Sequence, residues 1–137
     1  MWTCPDCGKK FRNTNQWHSC HRLSLDDHLR NKPERIRNTV VKLVRRIENF
    51  GPIQLNPVKS SIQVRAGATF LSIRPKKNHI EIEFQLGRLI EDFPVHRAVR
   101  ISGNRVLHFV FLQEPGDIDD LLTDWLEESF WLVSTGL

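Results

Sequence analysis

At Ile53 the hydrophobic pattern of this chain changes period, from the 3.6 residues of a helix to the 2 of a strand, and that change limits the folds open to it. Before it, Ile36, Val40, Leu43, Val44 and Ile47 form one stripe behind Pro33, a residue suited to a helix start because its missing N–H is not needed there. Arg35, Arg37, Lys42, Arg45 and Arg46 crowd the other positions, and Phe50-Gly51-Pro52 predicts the stop, with Gly51 as a left-handed cap. A shorter helical turn is predicted over residues 23–29, with Ser24 as its N-cap. After Ile53 the alternation takes over. Ile62, Val64 and Ala66 alternate with Gln63 and Arg65; Thr69, Leu71 and Ile73 with Phe70, Ser72 and Arg74; Ile80, Ile82, Phe84 and Leu86 with Glu81, Glu83 and Gln85. Residues 99–101 and 106–112 make a further pair across Ser102-Gly103-Asn104. Glu114-Pro115-Gly116 then breaks the last strand, and Asp117 is expected to cap a final helix that buries Ile118, Leu121, Leu122, Trp125, Leu126 and Phe130. Helices followed by about five hairpin-connected strands and a last helix predict an α+β fold over residues 23–137. The expected form is a two-layer domain, an antiparallel sheet with helices packed on one face.

Residues 1–22 form a separate segment. Cys4 and Cys7 sit in a Cys-Pro-x-Cys-Gly turn, where two thiolates can face one ion, and His18, Cys20 and His21 follow at the spacing of a small zinc finger. His18 and Cys20 alternate around Ser19, so in extended backbone they point the same way, whereas the adjacent Cys20 and His21 point to opposite faces. The expected ligands are therefore Cys4, Cys7, His18 and Cys20. Four protein ligands fill a tetrahedral site, so the expected cofactor is one structural Zn2+ per chain rather than a catalytic ion, which needs an open position. The odd count of 3 cysteines and the lack of a leader sequence argue against a disulfide reading and for a cytoplasmic protein.

The hydrophobic share of 39% and charged share of 26% are those of a water-soluble globular chain, with no apolar run long enough to span a membrane. The net charge of +4 hides a steep gradient. Residues 1–65 hold 13 Lys and Arg against 5 Asp and Glu, whereas residues 113–137 hold none against 7. Such a chain either offers its basic front to a polyanion or neutralises its two ends against each other within the fold.

Two groups of side chains carry the functional expectation. Lys9, Lys10, Arg12 and Arg22 interleave with Trp2, Phe11 and Trp17 in the finger segment, the mixture that nucleic-acid surfaces use, although the aromatics also suffice for the finger's own small core. In the larger domain, Lys59, Phe70, Arg74, Lys76 and Lys77 are the candidate ligand-binding residues. The cations flank strand ends and the Pro75 turn. Phe70, falling among wet-face residues, is either the apolar floor of a cationic groove or a residue covered by the final helix. No catalytic residues emerge: His79-x-Glu81 lacks the downstream Pro-Cys-x-x-Cys of a zinc deaminase, no phosphate-binding glycine loop is present, and His108 in the most apolar strand reads as a satisfied core histidine. The expected function is a non-enzymatic zinc-containing binding module for an anionic ligand such as nucleic acid, with a protein-interaction or adaptor module as the alternative. The residues are silent on oligomeric state.

The Trp-x-Cys-Pro-x-Cys-Gly opening, Asn15-Gln16-x-His18-x-Cys20, His28-Leu29 with Pro33-Glu34, and the stretch from Gly51-Pro52 to Asn56-Pro57-x-Lys59 resemble bacterial proteins that carry the domain of unknown function 5655. The likeness extends to Phe70, the Pro75-Lys76-Lys77 turn and the closing Asp-Ile-Asp-Asp helix. It implies a compact α+β domain, a His-x-Cys finger that favours His18 over His21, and no established chemistry. The protein is expected to purify with about one zinc per chain, measured by elemental analysis, and a Cys4→Ser, Cys7→Ser double variant is expected to lose it. Unchanged metal content in that variant rules out the ligand set.

Overall fold

The computed structural model describes residues 2–3, 10–12 and 28–135. Its first ordered pair is a ribbon of two short antiparallel strands, β1 (Trp2–Thr3) and β2 (Lys10–Phe11), in register Trp2 to Phe11 and Thr3 to Lys10. The four expected zinc ligands lie outside the described residues, as do most of the turn predicted over 23–29 and the residues immediately before it. Among the described residues no helix is long and apolar enough to cross a membrane.

Helix α1 (Glu34–Glu48) starts immediately after Pro33 and buries Ile36, Val40, Leu43, Val44 and Ile47, the stripe that its period predicts, together with Thr39. Thr39 is buried without cost because its hydroxyl donates to the Arg35 carbonyl one turn earlier. The stop differs from expectation. Asn49 closes the helix in ordinary right-handed geometry, and Gly51 has a φ of +153°, outside the left-handed cap region. Its function is spatial: a Cβ at Gly51 would lie 2.9 Å from Cζ of Phe130.

The sheet has six antiparallel strands rather than about five: β3 (Gln54–Pro57), β4 (Ile62–Ala66), β5 (Ala68–Pro75), β6 (Ile80–Leu86), β7 (Val95–Ser102) and β8 (Arg105–Leu112), in the order β3-β4-β5-β6-β8-β7. The additional strand, β3, lies on an edge, where Pro57 is tolerated. β7 starts four residues before its apolar pattern does, because an edge strand with a half-wet inner face needs little alternation. Paired residues share a face, so the register assembles an inner layer from Val64, Leu71 and Phe84, from Ile62, Ile73, Ile82 and Val110, and from Ile80 and Leu112. The outer layer holds Gln63, Ser72 and Glu83 in one row and Arg74, Glu81 and Phe111 in another.

Phe70 breaks this alternation. Val64 pairs with Leu71 and Arg65 with Thr69, so Phe70 is the extra residue of a β-bulge, and a bulge re-aims one side chain. It is 1% exposed and meets Phe130 edge-on at 5.5 Å between ring centroids. Burying a whole phenyl ring is worth roughly 1.5–3 kcal/mol, more than the loss of one ladder position costs.

A short 3-10 turn, Pro115–Asp117, leads into helix α2 (Asp120–Thr135). Asp117 is not the cap of this helix. Its carboxylate accepts from the backbone N–H groups of Gln113 and Glu114, while Asp119 accepts from the Leu122 N–H at 2.9 Å and performs the capping. Leu122, Trp125, Leu126, Ser129 and Phe130 are buried, whereas Leu121 is half exposed. α1, α2 and the inner face of the sheet share one apolar cluster. Gly51→Ala is expected to lower stability by about 1–3 kcal/mol, since the new methyl must displace Phe130 and occupy a φ that L side chains avoid. Urea denaturation measures it, and an unchanged midpoint means that Phe130 gives way freely.

Candidate functional site

The strand order fixes where the cationic turns fall. β3 to β4 and β5 to β6 are successive antiparallel hairpins, so their connections emerge at the same end of the sheet. One, closed by the Val58 N–H donating to the Ser61 carbonyl, carries Lys59. The other, closed by the Lys76 N–H donating to the His79 carbonyl at 2.8 Å, carries Lys76 and Lys77. All three lysines are exposed, and none forms an ion pair among the described residues. The start of α1 adjoins this rim, because the Arg35 guanidinium donates to the Asn78 and Gln113 carbonyls.

Two of the five candidate residues behave differently. Arg74 is held on the outer face by Glu83 at 2.7 Å and Glu81 at 3.8 Å, so its charge is already neutralised. Phe70 lies in the core beneath α2 and offers no floor to a ligand; of the two readings left open by the sequence, cover by the final helix is the one realised.

The outer face has an aromatic region that the pattern of acids and amides had obscured. β8 turns Leu107, Phe109 and Phe111 outward, and Phe111 remains 46% exposed. The His96 ring stacks on Phe111 at 3.8 Å with an interplanar angle of 8°, His79 meets it edge-on at 5.0 Å, and the Arg97 guanidinium lies 4.1 Å from the centre of the Phe109 ring. His96 also faces Glu81 at 3.5 Å. Beside this group a cavity of about 710 Å³ opens between the segment around Phe93 and the turn after β8, with Glu91, Asp117 and Asp119 among its lining residues. Phe109 and Phe111 at wet-face positions were the available sequence signal. His79 and His96 gave none, since only the strand pairing brings them together.

Among the described residues, no group of His, Cys, Asp and Glu is arranged to hold a metal ion. Two helices over one face of a six-stranded antiparallel sheet define a two-layer α+β domain. The chain belongs to the family described as domain of unknown function (DUF5655), whose model matches residues 25–133. No curated protein and no solved structure matches the chain.

His108 is structural. It is fully buried, stacked on Phe84 at 5.7 Å, with Nε2 accepting from the Ile90 N–H at 2.9 Å and Nδ1 donating to the Val106 carbonyl at 3.1 Å. Burial pushes its pKa below the usual histidine value, against the opposing pull of the Val106 carbonyl. The unfolded chain therefore binds the proton more readily. The stability due to neutral His108 is complete above the unfolded value of about 6.5 and is lost as pH falls below it. Tm is expected to fall between pH 7.5 and 5.5, and to fall less in His108→Gln, whose amide keeps one donor and one acceptor. Equal slopes in the two proteins refute this assignment.

Proposed function

We propose that this protein is a non-enzymatic, zinc-containing binding module for an anionic polymer, nucleic acid foremost, which contacts the lysine rim of the sheet. The observation that carries the reading is that Lys59, Lys76 and Lys77, distant in sequence, occupy two turns at one end of the sheet, exposed and without an acidic partner among the described residues. Closely spaced free cations attract phosphates because binding releases condensed counterions. Arg37 and Arg45 on the exposed side of α1 extend the same charge, whereas Lys42 and Arg46 are engaged with the Pro115 carbonyl and with Asp120 and Thr123. Arg74, tied to two glutamates, drops out of the contact set.

The zinc belongs to this reading as a structural clamp on the basic N-terminal segment. Its support is the pairing of Thr3 with Lys10, which makes residues 4–9, with Cys4 and Cys7, the connection between two antiparallel strands. Cys-x-x-Cys in such a connection, with His18 and Cys20 completing the donor set, suits a tetrahedral ion. Bound zinc would cross-link a segment too short to be stabilised by burial and so present Lys10 and Arg12. A protein-interaction module is the second reading, favoured by Val99 and Ile101, which are 44% and 55% exposed on edge strand β7.

Labelled oligonucleotides titrated at several salt concentrations test the rim. Lys59→Ala, Lys76→Ala and Lys77→Ala are each expected to bind more weakly and to reduce the slope of log K against log salt by about one unit, without altering the circular dichroism. Affinity and slope equal to wild type in all three variants remove the rim from consideration.

A further inference from the structure

From the ring cluster around the exposed Phe111 we infer that the ligand is single-stranded nucleic acid, with an unpaired base stacking against Phe111 and His96 while its phosphates lie on Lys76 and Lys77. This rests on the rim reading and adds the state of the ligand to it. The two features are contiguous. The turn that carries Lys76 and Lys77 is closed on His79, and the His79 ring stands 5.0 Å from Phe111. Cations for the backbone beside aromatic surface for the bases is the combination that binds single strands, since every base has a π-face and a duplex hides its own.

The charges on the face favour one orientation. On the lysine side Lys76 and Lys77 are exposed and form no ion pair among the described residues. Across the rings, the cavity of about 710 Å³ is lined in part by Glu91, Asp117 and Asp119, whose negative charge repels phosphate. Glu81 and Glu83, between the two regions, share Arg74, and His96 lies 3.5 Å from Glu81. Arg97, over Phe109, supplies a cation at the other border of the aromatic region.

The experiment compares an unstructured oligonucleotide with its duplex by fluorescence anisotropy on wild type, Phe111→Ala, Phe111→Leu and the Lys76→Ala, Lys77→Ala pair. Phe111→Leu keeps the apolar bulk on the sheet, and circular dichroism establishes that each variant is folded. Wild type is expected to prefer the single strand. Both Phe111 variants are expected to lose about tenfold in single-strand affinity with an unchanged salt slope and unchanged duplex binding, whereas the lysine pair loses slope on both ligands. Equal affinity for strand and duplex, or a Phe111→Leu protein that binds like wild type, overturns the stacking inference while leaving the rim to stand on its lysine slopes. Wild type that binds neither ligand overturns both. A wild-type dimer that Phe111→Ala dissolves assigns the face to a second copy of the chain and overturns the inference as well.

Discussion

The edge-on contact between Phe70 and Phe130 is the junction on which the two layers depend. It joins the bulge of β5 to the last turns of α2, and the Ser129 hydroxyl donating to the Phe70 carbonyl at 3.1 Å secures the same place with a polar bond. Phe50, beyond the end of α1, reaches Phe130 from a third direction at 5.9 Å, and the neighbouring Gly51 allows the approach because it has no side chain. One ring thus holds a strand, the exit of one helix and the body of the other. The bulge is required by that contact, since a regular β5 would send Phe70 to the other face and leave Phe130 without this partner.

Much of this architecture was legible in the sequence because it is a matter of period. The stripe of α1 and the inward residues of β4 and β6 follow from 3.6 and 2 alone. Phe70 was legible only as an anomaly: a large apolar residue on the wrong side is the signature of a bulge or of an exposed patch, and pattern cannot distinguish them. The caps were misread for a local reason. Asp117 and Asp119 are both near a helix start with free backbone N–H groups in reach, and only the 3-10 turn decides that the first serves Gln113 and Glu114 and the second serves α2. The ring cluster of the outer face was illegible because its members come from three strand ends that no sequence spacing relates.

The charge gradient along the chain is partly dissolved by folding. Arg35 and Lys42 spend their donors on backbone carbonyls at Gln113 and Pro115, and Arg46 reaches Asp120 and Thr123, so the basic helix embraces the entry to the acidic one. Arg88 and Glu128 form a second such tie, bidentate and half exposed, at the other end of α2. Lys59, Lys76 and Lys77 on the turns and Arg37 and Arg45 on the outside of α1 stay exposed.

The swap of β8 and β7 in the sheet has a consequence for how the fold is made. β6 must leave its edge vacant while residues 87–104 are laid down, because its neighbour is the later strand and β7 touches the sheet only through β8. Among the described strands the last hairpin joins the sheet through β8 alone, and α2 is the final described element. On the ribosome, β3 to β6 can zip up in order of emergence, yet the Phe70 surface stays bare until residues 120–135 have cleared the exit tunnel, so a nascent chain stalled short of that helix is a sticky half-sheet.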